Sequence, residues 1–343
     1  FSKEIYKAIT IYRVYAVTGY KDNKFKKLLK YINFMIFGSI VAALIGRKYD
    51  YIFGFNLGAL TDMVPAVVIR KLYKKPLMFW VQDVWPDSVY AYGFKKTKVL
   101  SRLLNLFVKF MFNNVTSIAI TSKGFENKLR PYVKKNLDFN YLPNWAIQLN
   151  NNIEEISLSD EGKVNFTFAG NIGKVQNLEN IIKAFNMLSN EYQGKAQLNI
   201  IGDGSFLEQL MEISKHNSCI VFHGIKQRKE MAKFYNASDF LIVSLIDKPI
   251  FSVTVPAKTQ TYIAAKKPIL AIINGETADI IRDNHLGLCI NPSDVELIHD
   301  TFQDCINMNE SERMAFVINN DQLINNTFNK ENIINDLTRI LVQ

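Results

Sequence analysis

Short apolar runs alternate with helical patterns along most of this chain, and this alternation is what most constrains its fold. From about residue 51 onward, uncharged runs bounded by Gly, Pro, Asn or Asp precede segments in which apolar residues recur every three or four positions. Strands that alternate with helices build parallel sheets from βαβ units. The length of 343 residues suggests two domains at roughly 150 residues per domain. We therefore predict an α/β protein with two doubly wound sheets.

The first half of the chain contains predicted strands at Tyr51–Gly54, Leu77–Val81 and Ser117–Thr121, and helices at Leu100–Phe112 and Ser122–Tyr132. Ser122 is expected to cap the second of these helices. The earlier segment Ile9–Val17 is typical of a strand entered midway through a domain, and the chain begins with Phe1 rather than Met. We therefore expect an N-terminal piece to be missing.

The alternation restarts after an Asn-rich, acidic stretch at residues 143–162. We place the boundary there and predict domains at residues 1–150 and 151–343, with the last helix packing back toward the first domain. The strands predicted beyond the boundary are Val164–Ala169, Gln197–Ile201, Ile220–His223, Phe240–Leu245, Pro268–Ile273 and Leu288–Ile290. The helices predicted between them are Leu178–Leu188, Phe206–Lys215, Lys229–Tyr235, Ala257–Ala265 and Ala278–Asn284. Ligands of such sheets bind where strands lead into helices.

The two halves carry opposite net charges. Residues 1–150 contain 24 Lys and Arg against 8 Asp and Glu, whereas residues 151–343 contain 17 against 24. Net charge informs about partners rather than about fold, so we expect the first half to face an anionic surface. A nucleic acid is not expected, because the lysines cluster beside apolar runs and no nucleic-acid motif is present.

Cysteine and histidine usage argues against a structural metal. The three cysteines, Cys219, Cys289 and Cys305, show no CxxC spacing, and the four histidines are scattered. Buried thiols in a reducing compartment fit this pattern, and no zinc site is predicted.

The uncharged run Tyr31–Gly46 is the best membrane candidate. It follows lysines at positions 24, 26, 27 and 30 and precedes Arg47 and Lys48. A spanning helix needs about 20 apolar residues, so a full span is the least favoured interpretation. A buried helix packed on a sheet and a helix lying in the membrane interface both remain open.

A glycine turn, Gly170–Lys174, joins a predicted strand to a predicted helix. Glycines let the backbone approach a ligand, and Lys174 adds a charge suited to phosphate. An ordinary tight turn would use the same residues. Gly202–Gly204 forms a second turn of this kind.

Lys258 lies in the first turn of a predicted helix, after a loop that contains Thr254. The helix dipole disfavours a cation at this end, so the lysine indicates an anionic partner, although a solvated lysine is the plain alternative. Glu276 follows another strand and could bind sugar hydroxyls or simply begin a helix.

The segment that follows the strand at residues 77–81 carries two carboxylates and a tryptophan beyond Trp80. A carboxylate at a strand end can orient a hydroxyl or accept its proton, and tryptophans can pack on sugar rings. We favour a functional role for Asp83 and a helix-start role for Asp87, with Trp85 beside them.

Taken in this order, the motifs resemble the family-4 retaining glycosyltransferases of the GT-B fold, especially the branch that builds bacterial surface polysaccharides. The resemblance runs from about Tyr51 to the end of the chain. It rests on WVQDVWPDS at 80–88, FAGNIGKVQNLENIIKAF at 168–185, IIGDGSFLEQL at 200–210, VFHGIKQRKEMAKFYNASDFLIVSL at 221–245 and VPAKTQTYIAAKKPILAIINGE at 255–276. It implies two Rossmann-like domains facing across a cleft.

The resemblance also implies a set of site residues. The second domain would hold a nucleotide-sugar donor through Gly170, Asn171, Lys174, Ile225, Thr254, Lys258, Gln260 and Glu276. Asp83 would be catalytic, with Trp85 and Asp87 on the acceptor side. No metal or other cofactor is expected, since positive side chains and helix dipoles would stabilise the leaving diphosphate.

The chain departs from the family pattern at two places. Val253 and Thr261 stand where the family commonly carries two glutamates, and Gln260 or Glu276 would substitute for them. Asn171 stands where an arginine is common, which leaves Lys174 and Lys258 as the phosphate cations.

The resulting hypothesis is a retaining hexosyltransferase that uses a nucleoside-diphosphate sugar, UDP-linked, in O-antigen, capsule or exopolysaccharide biosynthesis. The acceptor would be lipid-linked or a polysaccharide. We expect the enzyme in the cytoplasm, peripheral on the inner face of a bacterial cell membrane with an anionic surface. A nucleotide-sugar epimerase and a non-catalytic scaffold of the same fold are the rival functions.

Overall fold

The computed structural model describes residues 2–15, 24–147, 149, 156–160 and 162–342, with side chains described from residue 29 onward in the first long helix. The chain separates into two compact units, Phe1–Pro143 with Ile334–Gln343, and Asn144–Ile333. Each unit has its own parallel sheet. The boundary that we predicted between residues 150 and 151 lies outside the described residues.

The chain opens with an antiparallel hairpin of β1 (Ser2–Tyr6) and β2 (Ile9–Arg13). Lys7 turns the chain back with a φ of 53°. The strand predicted within Ile9–Val17 is present at Ile9–Arg13, where it pairs with β1, and both strands are largely exposed. Positions 16 and 17 lie outside the described residues.

The first unit contains a four-stranded parallel sheet in the order β3-β4-β5-β6. Its strands are β3 (Ile52–Asn56), β4 (Leu77–Val81), β5 (Ser117–Ile120) and β6 (Phe139–Tyr141). Its helices are α1 (Lys24–Ile45), α2 (Val64–Tyr73), α3 (Asp87–Ala91), α4 (Lys98–Asn113) and α5 (Phe125–Leu129). Each strand adds to the same side of the sheet, so right-handed connections place α2 and α4 on one face.

The helix predicted to begin at Ser122 begins later. Helix α5 starts at Phe125, and Ser122 is buried three residues earlier, where its carbonyl accepts a hydrogen bond of 3.2 Å from Phe125 N. An extra turn therefore lies between the strand and the helix. Strand β6 is only three residues long and was not predicted.

The uncharged run Tyr31–Gly46 forms most of α1, which packs closely on α2. A Cβ added at Gly38 would lie 2.9 Å from Pro65 Cγ. The opposite face is exposed, with Leu44 exposing 76% of its surface, so α1 is buried on one face and exposed on the other. Among the described residues, 29–48 is the segment long and apolar enough to cross a membrane by length and composition alone.

The second unit contains a six-stranded parallel sheet in the order β12-β11-β10-β7-β8-β9. Its strands are β7 (Val164–Ala169), β8 (Ala196–Ile201), β9 (Ile220–Gly224), β10 (Phe240–Ser244), β11 (Ile269–Ile272) and β12 (Gly287–Ile290). Each strand lies within two residues of its prediction. Rings of Phe166, Phe185 and Phe302 pack edge to face at the centre of the core, with centroids 4.8–6.5 Å apart.

The helices of this unit cover both faces of the sheet. They are α6 (Leu178–Asn186), α7 (Asn190–Gly194), α8 (Leu207–Ser214), α9 (Met231–Asn236), α10 (Lys258–Ala264), α11 (Glu276–Asp283), α12 (Val295–Asn307), α13 (Glu310–Met314) and α14 (Asn320–Asn325). The last helix, α15 (Lys330–Val342), begins in this unit, and its residues from Ile334 onward belong to the first unit. The five helices predicted in this half are all present, at slightly shifted ends.

Candidate functional site

The second sheet reverses its strand order between β7 and β10. From β7 the chain adds β8 and β9 on one side, and from β10 it adds β11 and β12 on the other. Connecting helices therefore leave the two central strands toward opposite faces, which opens a crevice at their carboxyl ends. The Gly170–Lys174 turn follows β7, and Lys258 begins the helix that follows β10.

The two glycine turns that the sequence analysis treated separately are packed together. Gly170 N donates to Ile201 O and Ile172 N donates to Asp203 O, each at 2.9 Å. Gly202 has a φ of 138°, and a Cβ at this position would lie 1.9 Å from Gly170 O. Glycine at 202 is thus required by the close approach of two backbones, and the second turn supports the first.

Lys258 is buried against the first turn. Its Nζ lies 3.6 Å from the centroid of the Phe168 ring, and a Cβ added at Gly170 would lie 2.9 Å from that Nζ. The stem of the side chain is partly exposed, but Nζ itself is buried and has no hydrogen-bond partner in the described part of the chain. Burial lowers the pKa of Lys258 to about 7. A buried amine is costly to charge unless an opposite charge is nearby, so the role of Lys258 as an anion-binding residue stays a prediction that its burial makes physically reasonable.

Tyr262 fixes the geometry between these two segments. Its hydroxyl accepts a hydrogen bond from Ala169 N at 3.1 Å and donates one to Ala169 O at 3.3 Å. The side chain is fully buried one helical turn after Lys258, so α10 is tied to the end of β7. Sequence reasoning missed this residue. The available signal was its spacing, because a tyrosine four positions after Lys258 lies on the same face of the helix as the lysine.

The remaining predicted donor-side residues lie at the same edge of the sheet in different environments. Asn171 and Lys174 are exposed, and Ile225 exposes 74% of its surface just after β9. Thr254 precedes α10, and its carbonyl accepts a 2.9 Å hydrogen bond from Thr277 Oγ1, which draws the loop toward Glu276 at the start of α11. The donor-binding roles of these residues stay predictions.

Gln260 differs from the other predicted donor ligands because it is buried. With the amide oriented so that its nitrogen faces the helix start, Nε2 donates to Pro256 O and Ala257 O at 3.2 Å each. The side chain is therefore engaged within its own helix. Its role as a substitute for a missing glutamate stays a prediction.

The acceptor-side residues form one turn after β4 in the first unit. Asp83 Oδ1 accepts hydrogen bonds from Val84 N at 3.0 Å and from Ser88 Oγ. Burial raises the pKa of Asp83, and these hydrogen bonds offset the rise only in part. Asp83 is thus a carboxyl group held in one orientation with an elevated proton affinity, as a proton acceptor requires.

Trp85 and Asp87 lie in the same turn. The Trp85–Pro86 peptide bond is cis, and the Trp85 ring centroid lies 6.5 Å from that of Phe107. Asp87 is the first residue of α3, the position expected for an acidic residue at a helix start. It also forms an ion pair with Lys128 at 3.6 Å.

The described residues include no cluster of three or more His, Cys, Asp or Glu side chains that could hold a metal ion.

Two curated proteins resemble this chain at 27% identity. A probable glycosyltransferase of Pseudomonas aeruginosa, WbjE, matches over 226 residues, 62% of this chain and 56% of its own length. An uncharacterized glycosyltransferase of Methanocaldococcus jannaschii matches over 223 residues, 63% of this chain and 54% of its own length. The chain thus spans about half the length of the curated relatives it matches.

Solved structures resemble the chain over nearly its whole length. Anabaena HepE, in complex with UDP and glucose, has a TM-score of 0.69 at 12% identity and covers 93% of this chain and 83% of its own. Sucrose-phosphate synthase from Thermosynechococcus elongatus has a TM-score of 0.71 at 14% identity, covering 92% and 78%. At these identities the likeness shows the fold, and it confirms the predicted α/β fold of the GT-B type.

The second unit also matches a family model. The model for glycosyl transferases group 1 covers residues 150–322, half of the chain, and the matched segment includes both glycine turns, Lys258 and Glu276. The chain therefore belongs to the glycosyl transferases group 1 family.

Proposed function

We propose that this chain binds a nucleoside-diphosphate sugar, UDP-linked, and transfers its sugar to a glycan acceptor with retention of anomeric configuration. The observation that carries the proposal is the buried Nζ of Lys258, without a partner in the described residues, beside Gly170 at the switch point. A diphosphate would supply the anion that this site lacks, and bonds from an ammonium to phosphate oxygens are strong in a site of low dielectric.

The uridine base is supported by fold and family rather than by a contact. HepE, which shares the fold, has been solved with UDP and with UDP-glucose. In this chain the exposed Ile225, directly after β9, offers backbone groups and an apolar side chain for a base.

In the proposed reaction, Asp83 and the two lysines, Lys174 and Lys258, have different roles. The bond from the anomeric carbon to the diphosphate breaks while the acceptor oxygen bonds to that carbon, and the acceptor proton passes to Asp83. Negative charge then develops on the leaving diphosphate, where Lys258 and Lys174 stabilise it without a metal ion. For retention, the acceptor oxygen enters on the face from which the diphosphate leaves.

The proposed acceptor is a lipid-linked glycan or a growing polysaccharide of the O-antigen, capsule or exopolysaccharide type. The motif pattern supports this class, and the net charge of residues 1–150 supports a location at the cytoplasmic face of a bacterial membrane. The protein would be peripheral there.

A donor screen on the full-length protein tests the proposal. Release of UDP or GDP is followed with and without a lipid-linked acceptor, for the parent and for Lys258→Met and Asp83→Asn. Matched controls are Lys266→Met and Asp50→Asn, which change exposed residues of the same type in ion pairs. We expect acceptor-dependent release of UDP that both site variants reduce and both controls retain. Insensitivity to a metal chelator and an NMR assignment of the product linkage test the two mechanistic details.

A non-catalytic scaffold is the second candidate, favoured by Val253 and Thr261 at the places of the family's glutamates. Thr261 Oγ1 donates to Ala257 O at 3.4 Å, within its own helix. UDP binding without release of UDP from any sugar donor would support the scaffold. Conversion of the donor sugar without any acceptor would instead support an epimerase.

A further inference from the structure

Helix α4 exposes an apolar stripe along its outer face. Val99, Leu103, Leu106 and Phe110 follow one another at intervals of four, three and four residues, so they line one side of the helix over about 17 Å. Each exposes between 45% and 72% of its surface. The opposite side is buried through Val108, Met111 and Phe112. The helix thus has an inner apolar face for the core and a second apolar face that is exposed.

A basic stripe runs beside the apolar one. Lys98, Arg102 and Lys109 each precede a stripe residue by one position, and all three are exposed. The sequence contains no Asp or Glu between Asp87 and Glu126, so the charge of this segment is uncompensated along the chain.

The loop before α4 and the neighbouring helix α2 add further exposed aromatic and basic side chains. Tyr92 and Phe94 expose 62% and 59% of their surfaces, and Lys95 and Lys96 follow them. On the other side, Lys71 Nζ of α2 lies 5.5 Å from the centroid of the Phe110 ring. Exposed aromatic, aliphatic and basic side chains therefore form one continuous area, which we call the α4 surface and define as residues 92–110 with Lys71.

We propose that the α4 surface docks on an anionic phospholipid bilayer, with the apolar stripe among the acyl chains and the basic stripe at the phosphates. This inference rests on the membrane location in the proposed function and names the part of the protein that makes the contact. Amphipathic helices of this composition lie in the plane of the interface, where apolar burial and attraction to anionic lipid act together. The exposed Tyr92, an aromatic residue with a polar hydroxyl, suits the headgroup level.

A second copy of the chain is a poorer occupant of the α4 surface. A symmetric contact would bring the same patch of each copy together, and each patch carries several cations and no carboxylate. Facing like charges oppose association, whereas anionic lipid neutralises them.

Vesicle binding by the full-length protein tests this inference independently of catalysis. Sedimentation with vesicles of phosphatidylcholine, alone or mixed with phosphatidylglycerol, is compared for the parent and two double variants. Leu103→Gln with Leu106→Gln replaces the two middle residues of the apolar stripe with polar ones. Lys98→Gln with Arg102→Gln removes two positive charges from the basic stripe. The matched control is Leu44→Gln, a single change of an exposed leucine on α1. All of these side chains are exposed, and thermal unfolding checks that each variant folds like the parent.

We expect the leucine variant to bind mixed vesicles about tenfold more weakly or worse. The charge variant should bind mixed vesicles about tenfold more weakly than the parent and should bind phosphatidylcholine vesicles as the parent does. Added salt should weaken binding of the parent to mixed vesicles. Unchanged binding of both α4 variants would overturn the inference, as would a larger loss in Leu44→Gln. A parent dimer that the leucine variant dissolves would assign the surface to a second copy.

Sugar transfer to a water-soluble acceptor separates this inference from the proposed function. The α4 variants should transfer like the parent in that assay. A parent that binds vesicles through α4 but transfers no sugar would refute the function and leave the docking surface in place.

Discussion

Asp83 and Lys258 are both ionisable side chains buried after a parallel strand, but they differ in whether the protein supplies hydrogen bonds to them. The Asp83 carboxylate receives hydrogen bonds from Ser88 and from the backbone of Val84. The Lys258 amine lies over an aromatic ring and has no hydrogen-bond partner in the described part of the chain. Buried polar groups are nearly always paired in folded proteins. The protein itself thus orients the Asp83 carboxylate, whereas it provides no hydrogen bond to Lys258 Nζ within the described residues, which is why we propose the donor diphosphate as its partner.

Replacing the oriented carboxylate should have the largest effect. We expect Asp83→Asn to lower kcat by about 10²- to 10⁴-fold, because general acid–base groups contribute factors of this size. The Kd for UDP should not change, since the proposed donor contacts lie in the other unit. Steady-state kinetics and UDP titration check both statements, with Asp50→Asn as the control. Turnover at the parent rate would remove Asp83 from the mechanism.

Removing the unpaired ammonium should act on binding instead. We expect Lys258→Met to weaken UDP binding by about 10- to 100-fold, the range for losing hydrogen bonds to a charged group. Without ligand, the variant should be as stable as the parent or more stable. The substitution removes a buried amine that has no hydrogen-bond partner in the described part of the chain, and burying such a group costs stability. Calorimetric titration and thermal unfolding measure the two effects, and Lys266→Met should leave both unchanged. Equal UDP affinity in parent and Lys258→Met would contradict the comparison.

The two groups should also give stability opposite dependences on pH. The pKa of Lys258 falls from 10.5 to about 7 on folding, so the unfolded chain binds more protons between these values. The free energy of unfolding therefore rises with pH in that window, by at most about 1.4 kcal/mol per pH unit. The pKa of Asp83 is raised above 3.8 by burial, so its contribution falls as pH rises above that value.

Thermal unfolding of the parent and Lys258→Met without ligand checks the lysine part. The parent should be the less stable protein near pH 7, and the gap should narrow as the pH rises toward 9. A gap that stays constant over this range would show that Lys258 does not titrate there.

Tyr262→Phe should produce the smallest effect. The substitution deletes the hydroxyl that bonds to both backbone groups of Ala169, which we expect to lower stability by about 1 kcal/mol. UDP affinity should fall several-fold because the turn at Gly170 is no longer tied to α10. Tyr235→Phe, whose ring packs 5.6 Å from Tyr262, is the control. A variant with weakened stability but parental UDP affinity would limit Tyr262 to a structural role.

Much of the fold could be predicted because buried parallel strands are short apolar runs. β4 and β7 have the bounds that the sequence indicated, and every residue of both strands is buried. β6 was missed since its three residues are half-buried and carry no such run. The strand at Ile9–Arg13 was predicted, but its partner β1 was missed because Ser2–Tyr6 contains no apolar run.

The candidate site was harder to predict because its chemistry depends on approach between distant segments. The positive charge of Lys258 at a helix start was visible in the sequence, but its burial against Phe168 and Gly170 was not. Tyr262 was missed for the same reason, since its partner lies 93 positions away along the chain.

The central claim, that Lys258 receives the diphosphate of the donor, is tested most directly by counting protons. UDP is titrated calorimetrically at about pH 8 in buffers of different ionisation enthalpy, and the slope of heat against that enthalpy gives the protons taken up. Burial lowers the pKa of Lys258 to about 7, so the free amine is largely neutral at this pH and UDP binding should be accompanied by net proton uptake. Lys258→Met should take up none. Equal uptake by parent and variant would contradict the account, because the diphosphate would then bind without charging Lys258.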